Sequence, residues 1–403
     1  MSNLERERLG SPENLVDVRS PMDTDYYKIT MGQLVFFNFP TVDVRYRLIP
    51  RRQIVFPEGF DKTLTGLIQA MGALQTSQEE INYLARKAPY LKPNYLDWLK
   101  SYRFNPGEVN VSQKEGQLEV NIEGPWYRTI YWEVPLMAAI SGAFFKETKK
   151  SPDWLNSARE KARILKENGI KWADFGTRRR FSHEVQSKVI EAASEFADEG
   201  EGGFVGTSNV NLAYINGCRF IGTLAHEVPQ VVGALFGPQV ANEMVLGLWQ
   251  KEFRGQLGTA LPDTFTTDVF LRNFNHDAAK LWDGVRHDSG DPMVFVNKIV
   301  AHYQKLGINP MEKTIIFSDG LRLEKMLELN EYCKGKVKCS FGIGTNFTND
   351  VGATPLDIVI KVVEARLPGQ MWQHAIKLSD NPEKWTGDPG AIENARQLLG
   401  LTR

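Results

Sequence analysis

The chain has 403 residues, too many for one ordinary core, and 48 Lys+Arg offset 49 Asp+Glu to leave a formal net charge of −1. That balance excludes a general basic field for nucleic acid, while a local basic pocket stays open. The cysteines, Cys218, Cys333 and Cys339, form no CxxC pair. They exclude a disulfide framework or a cysteine zinc site and fit a reducing compartment. The start, Met1 to Leu15, is too polar for a signal peptide, and the longest apolar run, Val134 to Phe145, is too short to span a bilayer. No membrane contact and a cytoplasmic location are expected.

Residues 1–20 read as a loose arm. The run Met22-Asp23-Thr24-Asp25-Tyr26-Tyr27-Lys28 then leads into a helix over Ile29 to Phe37, with Asp23 or Asp25 near its N-terminus. Residues 42–49 alternate apolar and polar, which predicts a half-buried strand. Helical spacing fills 60–72 and 77–87. A hairpin is predicted around Gln113-Lys114-Glu115-Gly116, with Val109, Val111, Leu118, Val120 and Ile122 alternating about it. Residues 1–144 are therefore predicted as an α+β sandwich domain.

From 145 to 352 short apolar runs end in polar, Gly-containing turns and pass into helices. Such junctions occur at Trp172 to Arg180, Gly203 to Asn209, Phe220 to Glu227 (before a long helix to Lys251), Gly258 to Asp263, Leu281 to Asp291, Thr314 to Gly320 and Cys339 to Asn346. About seven βα-like units predict an irregular α/β barrel. A doubly wound sheet is the alternative, but no GxGxxG follows a first strand and no Walker A sequence is present. Over 353–403, Ile358 to Glu364 and His374 to Leu378 form a predicted hairpin around Pro368-Gly369 that returns to the first domain.

In a barrel the strand C-terminal ends share one mouth. Those ends carry Arg178, Ser208, His226, Glu227, Asp263, Arg286, Asp288, Asp319, Gly342 and Gly344. Arg286 and Asp288 lie two apart and point to one side of a strand, whereas His287 faces the helix layer. The Arg286 to Pro292 run is either a buried ion pair with a helix cap or a site for a phosphorylated sugar. In the second case Ser289 and Gly290 turn N–H groups towards an anion. The turn from Gly342 to Asn346 either cradles a phosphate or is simply permitted by its glycines. His226 is either a hydrogen-bonded structural histidine or a reactive imidazole that takes a phosphoryl group, oriented by a carboxylate. Tyr26 and Tyr27 either pack or stack on a planar ligand.

Six segments in order, Thr24 to Lys28, Asp174 to Arg180, Gly206 to Asn209, Ala225 to Glu227, Arg286 to Pro292 and Phe341 to Thr345, resemble the nicotinate phosphoribosyltransferase family, as does Ile376 to Asp380 near the end. The resemblance implies a type II phosphoribosyltransferase and a homodimer with shared sites. It implies that nicotinate and phosphoribosyl pyrophosphate give nicotinate mononucleotide and pyrophosphate in NAD salvage, with coupled ATP hydrolysis and Mg²⁺. It assigns Phe175 to one face of the pyridine ring, and Tyr27 to the other from the second subunit. Arg178 goes to the nicotinate carboxylate, Arg286 to substrate or phosphate, and Asp288 to ribose hydroxyls or metal, with no metal ligand fixed further. Asp319, Gly344 and Thr345 go to the 5-phosphate side. His226 is the phosphohistidine, with Glu227 beside it as in bacterial-type members. Ser208 stands where the related nicotinamide enzyme has an aspartate, and removing that charge favours the acid.

Other readings are a nicotinamide or quinolinate phosphoribosyltransferase, a nucleotide-binding sensor without turnover, and a structural barrel. Ser208 argues against the amide. A second carboxylate would need more basic residues than the ring end offers. The set Arg178, His226, Arg286 and Asp288 argues against a decayed or purely structural site.

Overall fold

A computed structural model describes residues 17–401, so most of the arm predicted over 1–20 lies outside the described residues. Its last part does not dangle: Val18 and Ser20 are buried. Strand β1 (Asp43–Pro50) buries Val44, Tyr46 and Leu48, the apolar half of its alternation. Strands β2 (Val109–Lys114) and β3 (Gln117–Pro125) form the predicted hairpin. Its two turn residues, Glu115 and Gly116, have φ of 51° and 76°, the left-handed pair that matches the twist of two strands joined this tightly. Helix α1 (Tyr26–Asn38) and helix α2 (Glu133–Phe145) are buried around most of their circumference, as their nearly continuous apolar sequences require.

The second sheet is parallel. It contains β4 (Lys171–Asp174), β5 (Gly203–Thr207), β6 (Thr259–Ala260), β7 (Gly284–His287), β8 (Thr314–Phe317) and β9 (Lys338–Ile343), in the order β5-β4-β9-β8-β7-β6. Its ladder among the described residues runs open from β5 to β6. The run at Phe220 adds only one bridge, Phe220 to Thr207, where a full strand was predicted. The long helix predicted after it is two, α3 (Glu227–Phe236) and α4 (Pro238–Phe253). Gly237, at φ 102°, breaks the run where Pro238 cannot donate. The strand predicted from Leu281 begins at Gly284, because Leu281 closes the helix His276–Leu281.

The C-terminal segment serves both sheets. Strand β10 (Ile358–Arg366) pairs antiparallel with β1, and β11 (Gln373–His374) extends that sheet to β11-β10-β1-β3-β2. The chain then crosses to the parallel sheet: Leu378 bridges Phe265, and its N–H donates to the Thr264 carbonyl at 2.7 Å. Residues 376–380 are thus carried to the strand ends.

One fully buried ion pair ties the N-terminal segment to the parallel sheet. Arg180 meets Asp23 through two bonds, Nη1 to Oδ1 at 2.8 Å and Nη2 to Oδ2 at 2.9 Å. Asn209 adds a third to Asp23 at 2.7 Å. Beside it the Tyr26 N–H donates to the Ser208 carbonyl and the Val210 N–H to that of Thr24. Truncating Arg180 leaves the fully buried Asp23 carboxylate without its cation, whereas truncating Asp23 leaves Arg180 with Asp17 at 3.2 Å. Arg180→Ala is therefore expected to cost on the order of 3–5 kcal/mol in urea unfolding, and Asp23→Ala less. A loss below about 1 kcal/mol would show the pair to be dispensable.

Candidate active site

Two cavities meet at the C-terminal ends of the parallel strands. The outer one, about 360 Å³, is lined by Phe175, Arg178, Arg286, Gly344, Thr345 and Asn346, with Arg52, Arg179, Ser318 and Asp357 among its further walls. The inner one, about 50 Å³, is lined by Tyr27, Glu133, His226, Glu227, Asp288 and Lys361, with Gln230 also facing it. Arg178 and Arg286 belong to both.

Each side chain has a local reason for its position. Phe175 follows β4, and its N–H donates to the Ile343 carbonyl at 2.8 Å. Its ring lies flat on Gly342, where a Cβ would come within 2.3 Å of it. Asp174 folds the turn after it by accepting from the Gly176 N–H at 2.8 Å, and also accepts from Thr207 and Gln186. Burial pushes the Asp174 carboxyl up to about 6. Arg286 and Asp288 share one side of the β7 end, Nη2 to Oδ1 at 2.9 Å. Arg286 also donates to Ser318 at 2.7 Å and lies 5.9 Å from the centre of the Phe175 ring. His287 points the other way, buried against Phe295 and Phe317.

His226 is the centre of the charge. Nδ1 lies 2.9 Å from Thr264 Oγ1, and Nε2 lies 2.9 Å from both Asp288 Oδ2 and Lys377 Nζ. Asp263 is 3.6 Å from the same nitrogen and 3.4 Å from Lys377. Burial and the Lys377 ammonium push the imidazole down to about 4, against the pull of Asp263 and Asp288. The neutral ring has two satisfied tautomers. With the proton on Nδ1, Thr264 accepts and Nε2 accepts from Lys377; with the proton on Nε2, Asp288 accepts. Burial would raise the Asp288 carboxyl, but Arg286, the His226 bond and Lys377 hold it well below the carboxylate range.

The outer cavity is short of anions. Burial, then the neighbouring Arg178 and Arg51, drive Arg179 down to about 10. Its carboxylate partner is Asp357 at 3.1 Å. A cluster of cations with incomplete pairing, a glycine-rich turn and an open mouth suits an anionic ligand such as a phosphate ester.

Several residues selected from sequence make contacts other than those expected. Glu227 does not orient His226. Neighbours on a helix point about 100° apart, and Glu227 accepts from Lys28, from Tyr46 at 2.5 Å and from Trp126 at 2.8 Å. Ser208 lines neither cavity; its hydroxyl donates to Asp25 at 2.7 Å, so a carboxylate already stands beside it. Asp319 pairs with Lys384 and faces a separate cavity. The helix start after Gly290 is capped by its own Asp291, which accepts from the Met293 and Val294 N–H groups at 2.8 and 2.9 Å. No anion is needed there. Tyr27 lies 5.9 Å from Arg178 of its own chain, and Tyr27 and Phe175 line different cavities.

The residues that sequence left without a role are Lys377, Thr264, Ser318, Gln230 and Lys361. Lys377 stood inside a quoted segment, but a lone lysine in a hairpin reads as a solvated charge. A set of oxygen and nitrogen donors, His226, Asp263 and Asp288, lies within reach of one cation. The Lys377 ammonium sits among them, however, so the set is not a ready cage for Mg²⁺, which wants oxygen ligands in near-octahedral order.

Arginines and a glycine turn around one cavity, with a buried histidine behind them, suit a phosphorylated ligand such as a sugar phosphate. Residues 170–403 match the nicotinate phosphoribosyltransferase (NAPRTase) family, and residues 22–141 match the N-terminal domain of that family. The chain belongs to this family. It is 47% identical over 388 residues to the nicotinate phosphoribosyltransferase of Chromohalobacter salexigens, covering 95% of this chain and 99% of that one. It is 46% identical over 390 residues to that of Desulforapulum autotrophicum, with the same coverage. The crystal structure of nicotinate phosphoribosyltransferase from Porphyromonas gingivalis superposes with a TM-score of 0.92 at 40% identity, covering 95% of this chain and 100% of that one.

The His226 imidazole is expected to titrate near pH 4 by NMR, well below its usual 6.5. Its folded-state value is depressed, so its contribution to stability is present above pH 6.5 and lost as pH falls towards 4. Lys377→Met removes a like charge and is expected to move the midpoint upward. An ordinary midpoint in the parent would contradict this charge arrangement.

Proposed function

We propose that the chain joins nicotinate to phosphoribosyl pyrophosphate, releasing pyrophosphate, and that ATP hydrolysis through phosphorylated His226 drives the reaction. The observation that carries the reading is the pair Arg178 and Arg286, shared by an outer cavity of ligand size and an inner cavity with His226. The pyridine nitrogen is already a nucleophile, so positioning dominates and no strong base is required. The ring lies on Phe175, and Arg178 takes the carboxylate. Arg286 faces the leaving pyrophosphate, where negative charge grows as the C1–O bond opens. Asp288, held ionised, takes ribose hydroxyls, and the Gly344-Thr345 turn takes the 5-phosphate. Ser318, bonded to Arg286, joins this set in preference to Asp319. Mg²⁺ is assigned to the substrate's pyrophosphate, since Lys377 occupies the place between the acidic groups.

In the ATP half-reaction the bare Nε2 attacks the γ-phosphorus as the bond to the leaving ADP breaks, and Thr264 keeps the proton on Nδ1. Water later cleaves the N–P bond and frees phosphate. Homodimerisation with shared sites belongs to the same reading: it brings Tyr27 of a second copy over the open face of the pyridine. Preference for the acid rests on Arg178 and its neighbouring cations more than on Ser208, whose hydroxyl is engaged by Asp25.

Initial rates with nicotinate and with nicotinamide test the substrate. Nicotinate alone is expected to turn over well, and Arg178→Ala is expected to raise its KM by about tenfold or more, the loss of one charge-assisted contact. Equal rates with the amide would overturn the assignment.

A further inference from the structure

Asp174 is a buried acid without a cation. It ends β4, is 0% exposed, and no positive group pairs with it among the described residues. A carboxylate in that position is costly, so its retention calls for a reason. What it has instead is three donors. Oδ1 accepts the Gly176 N–H at 2.8 Å, and Oδ2 accepts from Gln186 at 2.8 Å and from the Thr207 hydroxyl at 2.6 Å.

These donors fix the turn that carries two lining residues of the outer cavity. Phe175 follows Asp174 directly, and Arg178 lies two residues beyond Gly176 in a single short helical turn, Thr177–Arg179. The space around Gly176 is closed. A Cβ there would lie 2.2 Å from Thr348 Oγ1 and 2.8 Å from Asp174 Oδ1. Gln186 extends the network: its Nε2 also donates to Thr177 at 3.1 Å, and its Oε1 accepts from Arg180 at 3.2 Å. The amide therefore cannot flip without losing Arg180. The Thr207 oxygen already accepts the Asn209 N–H at 3.1 Å.

An ionised carboxylate satisfies all three donors at once, and the acid does not. A proton on Oδ1 would face the Gly176 N–H and open the turn. A proton on Oδ2 would face the Gln186 amide, and only Thr207 could rotate to receive it. Burial pushes the carboxyl up to about 6 against the three donors, and the Asp25 carboxyl from the N-terminal segment adds to the rise. Cys218 faces Asp174 from beyond β5, its thiol pushed up to about 11 by burial and then by Asp174. In the turn itself stand Arg178, drawn towards Asp25 and Glu133, and Arg180, committed to Asp23. The neighbouring strand β9 sets uncharged Ile343 beside it.

We infer that Asp174 is a positioning residue for nicotinate: its ionised carboxylate holds the turn that presents Phe175 and Arg178, and its protonation releases that turn. The inference rests on the reading of Phe175 and Arg178 as the nicotinate contacts. Asp174 itself touches no substrate and acts through the Gly176 N–H.

Steady-state formation of nicotinate mononucleotide between about pH 5 and 8, with phosphoribosyl pyrophosphate saturating, tests this. In the parent, KM for nicotinate is expected to rise about tenfold one pH unit below the Asp174 midpoint, with kcat changing far less. Asp174→Asn keeps an oxygen for the Gly176 N–H but cannot titrate, so its KM is expected to stay level within about twofold over this range. Thr207→Val removes a donor that favours the charged form, so the midpoint of the limb is expected to move upward, a shift that a merely structural defect would not produce. A parent KM level across the range, or a limb unchanged in Asp174→Asn, would overturn the inference. Should Arg178→Ala leave KM unaltered while the limb still vanishes in Asp174→Asn, the carboxylate reading of Arg178 fails and Asp174 keeps its role through Phe175. Should Arg178→Ala raise KM while the limb persists in Asp174→Asn, the carboxylate reading stands and the inference fails.

Discussion

One nitrogen atom organises the site. His226 Nε2 stands 2.9 Å from an ammonium and 2.9 Å from a carboxylate, and a ring nitrogen cannot accept from one and donate to the other at once. Burial and Lys377 settle the ring in its neutral form, and Thr264 at Nδ1 serves either tautomer. A neutral imidazole with a bare nitrogen is a nucleophile; an imidazolium is not. One of the two neutral tautomers, with the proton on Nδ1, leaves Nε2 bare, the form that the proposed phosphoryl acceptance requires.

That arrangement depends on the crossing of the C-terminal segment. Strand β10 is anchored to β1 along its length, which fixes where the chain leaves the antiparallel sheet. The backbone bond from Leu378 to Thr264 then sets this stretch beside the segment that follows β6, so that Lys377, 151 residues beyond His226, reaches the imidazole. Likewise the Arg180–Asp23 pair holds the segment bearing Tyr27 and Lys28 against the β5 end. Buried charge therefore ties these segments together, at the site through Lys377 and away from the cavities through the Arg180–Asp23 pair.

The legibility of the sequence follows from range. Strand alternation and the hairpin around Gln113 to Gly116 were readable because each is encoded within about ten residues. Arg286 and Asp288 were readable because a two-residue spacing on a strand fixes a common side. Glu227 does not meet the His226 ring, because adjacency on a helix means divergence, not contact. Gly237 was passed over as an interruption because apolar spacing continues on both sides of it. Lys377, Gln230 and Lys361 carried no local mark: their meaning arises only when β10 and the turn after it are brought beside α3. Ser208 was seen correctly as a serine without a charge, but the carboxylate of Asp25 comes from 183 residues away.

The most direct measurement is to mix the protein with γ-³²P-labelled ATP, quench it in base and map the label by peptide mass spectrometry. An acid-labile, base-stable phosphate on the peptide containing His226 is expected, discharged when nicotinate and phosphoribosyl pyrophosphate are added. Normal ADP formation without a trappable phosphate, or label on a different residue, would contradict the role given to His226 and to the charges gathered around it.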